Sequence, residues 1–147
     1  MRRAALTADE GTVLLLIIGL VTLATLMVSV VTDASALYLE RRRLVSAADG
    51  AALAGAQKVH EARVYKEGLP AVGPVPLDPD AAELAAREYL AESGIALSDV
   101  SIHATPTTVS VRVWSRYRLP VASTVTAGGV GSANVSASAT ARTAVVP

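Results

Sequence analysis

The residues of this chain whose types could do chemistry are a pair of histidines, some paired acids, an arginine triplet and a glycine cluster. His60 and His103 are the only imidazoles among 147 residues. They lie far apart in sequence, and His103 falls on the polar face of the alternating segment "VSIHA", where an exposed histidine explains it better than a base or ligand. Acid–base catalysis needs carboxylates that converge on one cleft. Asp78 with Asp80 is accounted for by helix capping, and Glu88 with Glu92 by an exposed helical face. Gly128, Gly129 and Gly131 lack the following helix and lysine that a phosphate cradle needs, and neither HExxH nor GxSxG occurs. Cysteine is absent, which removes disulfides, thiolate metal sites and thiol nucleophiles together. These residues argue against an enzyme, and they predict no cofactor, no metal and no small-molecule substrate.

Charge narrows the partners further. Thirteen basic and thirteen acidic side chains give zero formal charge, so no whole-molecule field favours nucleic acid. The local cluster Arg41, Arg42 and Arg43 sits beside Glu40 without an aromatic platform, which reads as a solvated or headgroup-facing helix turn rather than a nucleic-acid site. Arg112, Arg116 and Arg118 share a strand face with Trp114, either an ordinary solvent face or a partner surface.

What positions these groups begins with residues 12–31, "TVLLLIIGLVTLATLMVSVV", an uncharged run. About 20 residues of helix span ~30 Å, the hydrocarbon thickness of a bilayer. The run predicts a transmembrane helix within a lipid bilayer, preceded by a cytoplasmic leader, residues 1–10. A cleaved secretory signal is the competing reading, with Ala34-Ser35-Ala36 as the site, but the run is too long and Asp33 too close. Arg2 and Arg3 on one side nearly balance the triplet on the other. The triplet begins about ten residues past the run, ~15 Å along a helix, which favours N-terminus in and C-terminal domain out, a single-pass protein of the cytoplasmic (inner) membrane.

No proline interrupts the chain from Gly11 to Pro70, and the alanine-rich stretch favours a helix over residues 11–60 that leaves the bilayer as a stalk. Residues 61–79 form a Pro/Gly-rich linker. Asp78 as N-cap, Pro79 at the first helical position and Gly94 as the stop predict a second helix, with Ala82, Ala85, Ala86 and Tyr89 on one face. The period then becomes two. Val100, Ile102 and Ala104 face one way, and beyond a turn Val109, Val111 and Val113 do so again, predicting a hairpin. "ANVSASATAR" is a third strand, reached through the glycine cluster as a flexible crossover. The expected fold class is α+β: a long N-terminal transmembrane helix continuing as a stalk, a second short helix, and a small antiparallel sheet of three or four strands over residues 80–147.

Within the run, Gly19, Thr22, Thr25 and Ser29 recur at three or four residues, with Asp33 marking the membrane exit together with the arginine triplet. Such spacing either builds a face for close helix–helix approach or reflects hydroxyls that bond their own carbonyls. Beyond the membrane, Ala36, Ala47, Ala48, Ala51, Ala54 and Gly55 extend the small-residue side, and a seam so rich in alanine predicts a partner helix packed on Ala48 and Ala51.

"EGTVLLLIIGL" and "VVTDASALYLERRRLVSAADGAALAGA" closely resemble the N-terminal domain of TadG-like and TadE-like proteins of the Flp (tight adherence) pilus system. There a glycine opens an apolar helix, an aspartate closes it, and an "LYLxRRxLxxAADxAALAxA" segment follows. Gly11 and Asp33 take those two places, and Arg41, Arg42, Leu44, Ala47, Ala48, Asp49, Ala51, Ala52 and Leu53 fall in register. The tail "NVSASATARTAVV" resembles the family's closing strand, so about half the chain is covered. The resemblance implies a membrane-anchored, minor pilin-like subunit or assembly factor, bacterial and exposed at the cell surface, whose partners are other Tad/Flp pilus subunits or assembly proteins. It also implies prepilin-type processing between Ala5 and Leu6, with Glu10 as the glutamate of the rule and alanine in place of the usual glycine. The alternative expectation is a binding module, anchored or secreted and unrelated to pili, whose head contacts a protein or surface partner through Arg112, Trp114 and Arg116.

Overall fold

A computed structural model of the chain describes residues 4–67, 73–74, 77–125, 131–143 and 145–146. Helix α1 (Ala4–Glu67) runs 64 residues without a break, or about 96 Å at 1.5 Å per residue. It therefore passes the expected end at residue 60 by two turns. Helix α2 (Pro79–Glu92) begins as its sequence dictates. The Asp78 carboxylate accepts the amides of Asp80 and Ala81, and Pro79 occupies the first turn. It ends at Gly94, whose φ of 65° is the left-handed conformation that glycine takes without penalty.

The strands form two sheets. β1 (Gly73–Pro74) bridges to β5 (Val145–Val146). The main sheet has the order β2-β3-β4, all antiparallel, from β2 (Asp99–Ala104), β3 (Thr108–Arg118) and β4 (Ser132–Arg142). The expected hairpin forms in register, with Ile102 opposite Val111 and Ala104 opposite Val109. The connection after β3 is not a crossover: β4 returns beside β3, Arg118 opposite Ser132. It contains one short helical turn, α3 (Ala122–Val125), and Gly128 and Gly129 lie outside the described residues.

The three main strands bury one face, made of Ile102, Ala104, Val109, Val111, Val113, Val135, Ala137 and Ala139. Against that face lie α2 and the middle of α1. The seam on α1 is Leu44, Ala47, Ala48, Ala51 and Ala52, of which Leu44, Ala48 and Ala51 are 0% exposed. Small residues are required because the backbones meet closely. A Cβ on Gly55 would stand 2.8 Å from the carbonyl oxygen of Ala82, and one on Gly50 would collide with the Tyr89 ring. Leu77, which was expected to be linker, is a core residue whose amide donates to the Pro106 carbonyl at 2.7 Å.

This packing corrects two expectations. The stalk is the spine of the head, because the head is wrapped along α1 rather than carried at its tip. The alanine seam at Ala48 and Ala51 is covered by this chain's own α2 and sheet, so it offers no surface to a second helix. A core of alanine and valine demands a third small-residue surface on which to close, and α1 supplies it.

Candidate functional site

Among the described residues, the N-terminal half of α1 from Gly11 onward has no such cover. Val13, Leu16, Ile17, Leu20, Leu23, Met27 and Val31 are each 50% exposed or more, and none of its most apolar 18-residue window, mean hydropathy 2.8, is buried. A helix that is apolar all round and unburied is not the core helix of a soluble domain. Among the described residues one helix is long and apolar enough to cross a membrane, and a bilayer needs only ~20 residues of it.

Along that half the hydroxyls bond backward. Thr22 donates to the Ile18 carbonyl, Thr25 to Val21 and Ser29 to Thr25, each at 2.8 Å, and Thr32 to Val28 at 2.9 Å. Hydroxyls satisfied within their own helix need no partner and also leave the groove beside them free of unpaired polar groups. The Gly19 position has open space beside it, with nothing within 4 Å of a Cβ placed there.

Asp33 is where the two halves meet, and its role was not visible in the sequence. Its Oδ1 accepts the Val121 amide and its Oδ2 the Ala122 amide, both at 2.9 Å. The carboxylate therefore clasps the turn that opens α3, at the end of β3. Asp33 thereby ties the head to the apolar half of α1. Local reasoning could not find this, because the acceptor and its donors lie 88 and 89 positions apart.

Arg41, Arg42 and Arg43 follow on the same helix and are exposed. They do not act as a unit. Arg41 borders a groove against Asn134 and Ser136 of β4, whereas Arg43 borders hollows beside Ser93 and Ile95. On the outer sheet face the Arg112 guanidinium stands 6.0 Å from the Trp114 ring centre, within cation–π range. Arg116 reaches the Asn134 side chain at 3.5 Å, and His103 is exposed on the same face. Among the described residues no three His, Asp or Glu side chains come together in a way that could hold a metal ion. Ala5, Leu6 and Glu10 belong to the first turns of α1, and their side chains, like that of His60, lie outside the described residues.

Residues 11–58 match the family model described as putative Flp pilus-assembly TadE/G-like. The match covers the exposed apolar half of α1, Asp33 and the whole buried seam, and it stops short of α2 and the sheet. The resemblance read from the sequence therefore holds over the anchor and the spine of the head, about a third of the 147 residues. No curated protein and no solved structure matches the chain.

Proposed function

We propose that the chain is a membrane-anchored, non-enzymatic minor pilin-like subunit or assembly factor of a Tad/Flp-type pilus, its head on the extracytoplasmic side. The observation that carries this reading is the coincidence of the family match with two structurally distinct stretches of one helix: a bare apolar half fit for lipid and a small-residue half that seats the head. Contacts with other pilus components are made through the bilayer by the face bearing Gly19, Thr22, Thr25 and Ser29, where small residues let helices approach closely. Ala48 and Ala51 drop out of that interface because their surface is already used. Gly19→Leu is expected to leave the protein inserted and its head folded while abolishing piliation. Normal pili in that variant, at unchanged membrane levels, would overturn the lateral-packing mechanism.

Processing follows from the same geometry. A cut after Ala36 would remove Asp33 and release the turn at Val121, so the head would lose its clasp. The mature protein is expected to retain Asp33 and Ala36 in one chain with the head, whether or not the prepilin-type position at Ala5, Leu6 and Glu10 is used. Intact-mass measurement of membrane-extracted protein reads this directly, and a product beginning at Leu37 would contradict it.

A further inference from the structure

The two edges of the main sheet are treated differently. On β2 two of the three outward amides are taken by side chains: Val100 donates to the Asp99 carboxylate at 2.8 Å, and Ala104 to Glu83 of α2 at 3.4 Å. Acidic caps of this kind are how a short edge strand is kept from pairing with another chain. β4 is the longer edge, 11 residues with no charge before Arg142. Its inner edge is paired with β3 in a register that the flanking bonds fix, since the Leu119 amide donates to Gly131 and that of Thr143 to Thr107. Antiparallel alternation then turns the odd-numbered residues of β4 toward β3 and leaves the amides and carbonyls of Asn134, Ser136, Ser138 and Thr140 on the free edge. Among the described residues no side chain caps them.

A groove of about 470 Å³ runs beside this edge, with Ala34, Leu37, Tyr38 and Arg41 of α1 as one wall and Asn134 and Ser136 as the other. No carboxylate lines it, and among the described residues Arg41 has no ion-pair partner. The occupant can be narrowed by geometry. β4 starts beside Ala34 and Arg41 and ends opposite Val109, which packs at Gly55, so β4 runs in the same direction as α1. Two copies pairing β4 antiparallel about a two-fold axis would send their anchors opposite ways, which one bilayer does not permit. A β4-to-β2 ladder between copies meets the Asp99 and Glu83 caps.

We propose that the free edge of β4 is a strand-addition site for an extended segment of a different polypeptide, whose backbone pairs with Asn134, Ser136, Ser138 and Thr140 and whose carboxylate side chain meets Arg41. Main-chain bonds supply affinity in such a site, and alternate side chains entering the groove supply selectivity. The inference deepens the pilus reading by giving a partner's chemistry, and it borrows from that reading the shared membrane orientation.

The test uses the full chain in lipid nanodiscs and a fluorescent peptide of alternating valine and threonine with one central glutamate. Saturable binding is expected, at least tenfold tighter than for the same peptide with a central lysine, with slowed hydrogen exchange at the Ser136 and Ser138 amides. Ser138→Pro removes an outward donor while sparing the β3 ladder. It is expected to weaken binding tenfold or more with the head still folded, and Arg41→Glu to reverse the preference between the two peptides. If the proline variant unfolds, exchange in the unsubstituted protein decides alone. Absent binding, or binding without protection of those amides, overturns the proposal. Self-association that protects the same amides without peptide also overturns it, in favour of a second copy. Because no pili are involved, failure here leaves the pilus reading intact, and failure of Gly19→Leu to affect piliation leaves this site intact.

Discussion

Replacing Ala48 and Ala51 together by leucine is expected to unfold the head. Both positions are 0% exposed, against α2 and the inner sheet face. Each substitution adds three carbon atoms where Gly50 and Gly55 already hold the helices at their closest approach. Overpacking of this kind costs about 1–3 kcal/mol per site, and a small domain has only about 5–15 kcal/mol in total. A core without phenylalanine belongs near the lower end of that range. Urea unfolding of the full chain in detergent micelles, followed through the single tryptophan, should show a large fall in midpoint or no cooperative transition. Leu53→Ala, at a position 53% exposed on the same helix, should change stability by less than about 0.5 kcal/mol. A double-leucine protein with an unchanged midpoint would mean that the seam faces outward and returns it to an intermolecular role.

Asp33→Leu is the second large effect. Hydrogen bonds to a charged acceptor contribute about 1.5–3 kcal/mol each. Asp33 and its partners are only partly buried, so the freed Val121 and Ala122 amides regain some hydration. The expected net loss is about 2–3 kcal/mol. Hydrogen exchange at Val121 and Ala122 should accelerate by one to two orders of magnitude, on the basis that ~1.4 kcal/mol is tenfold. Asp33→Asn keeps one acceptor oxygen and should recover about half the loss. Unchanged exchange at both amides in the leucine variant would show that the clasp carries no weight in solution.

The parts of the fold that local chemistry dictates were legible in the sequence. Asp78, Pro79 and Gly94 bracket α2 because capping and left-handed φ are properties of a few adjacent residues. The hairpin could be read because the alternation of Val109, Val111 and Val113 fixes which face is buried, and a one-residue slip would expose all three. The anchor could be read from its length alone. What could not be read was the identity of the surface opposite each face. Ala48 was recognisable as a contact residue, yet its type does not distinguish its own α2 from a neighbour's helix. Asp33 was recognisable as the last polar group of an apolar run, but its donors are backbone amides, which carry no side-chain signature. The β3–β4 connection was misread because three glycines suggest freedom of path, whereas the ladder from Arg118 to Ser132 sets the path.

The unbroken course of α1 from Ala4 to Glu67 makes the molecule a torsion shaft. At about 100° per residue, Gly19 and Ala48 come within about 20° of the same azimuth, so whatever grips the anchor in lipid lies nearly beneath the head. On the proposed function, a partner packed at Gly19 would set the compass bearing of the outer sheet face from inside the bilayer. A single residue inserted between Ser29 and Asp33 would swing that face by about 100° while leaving every contact within the head as it was.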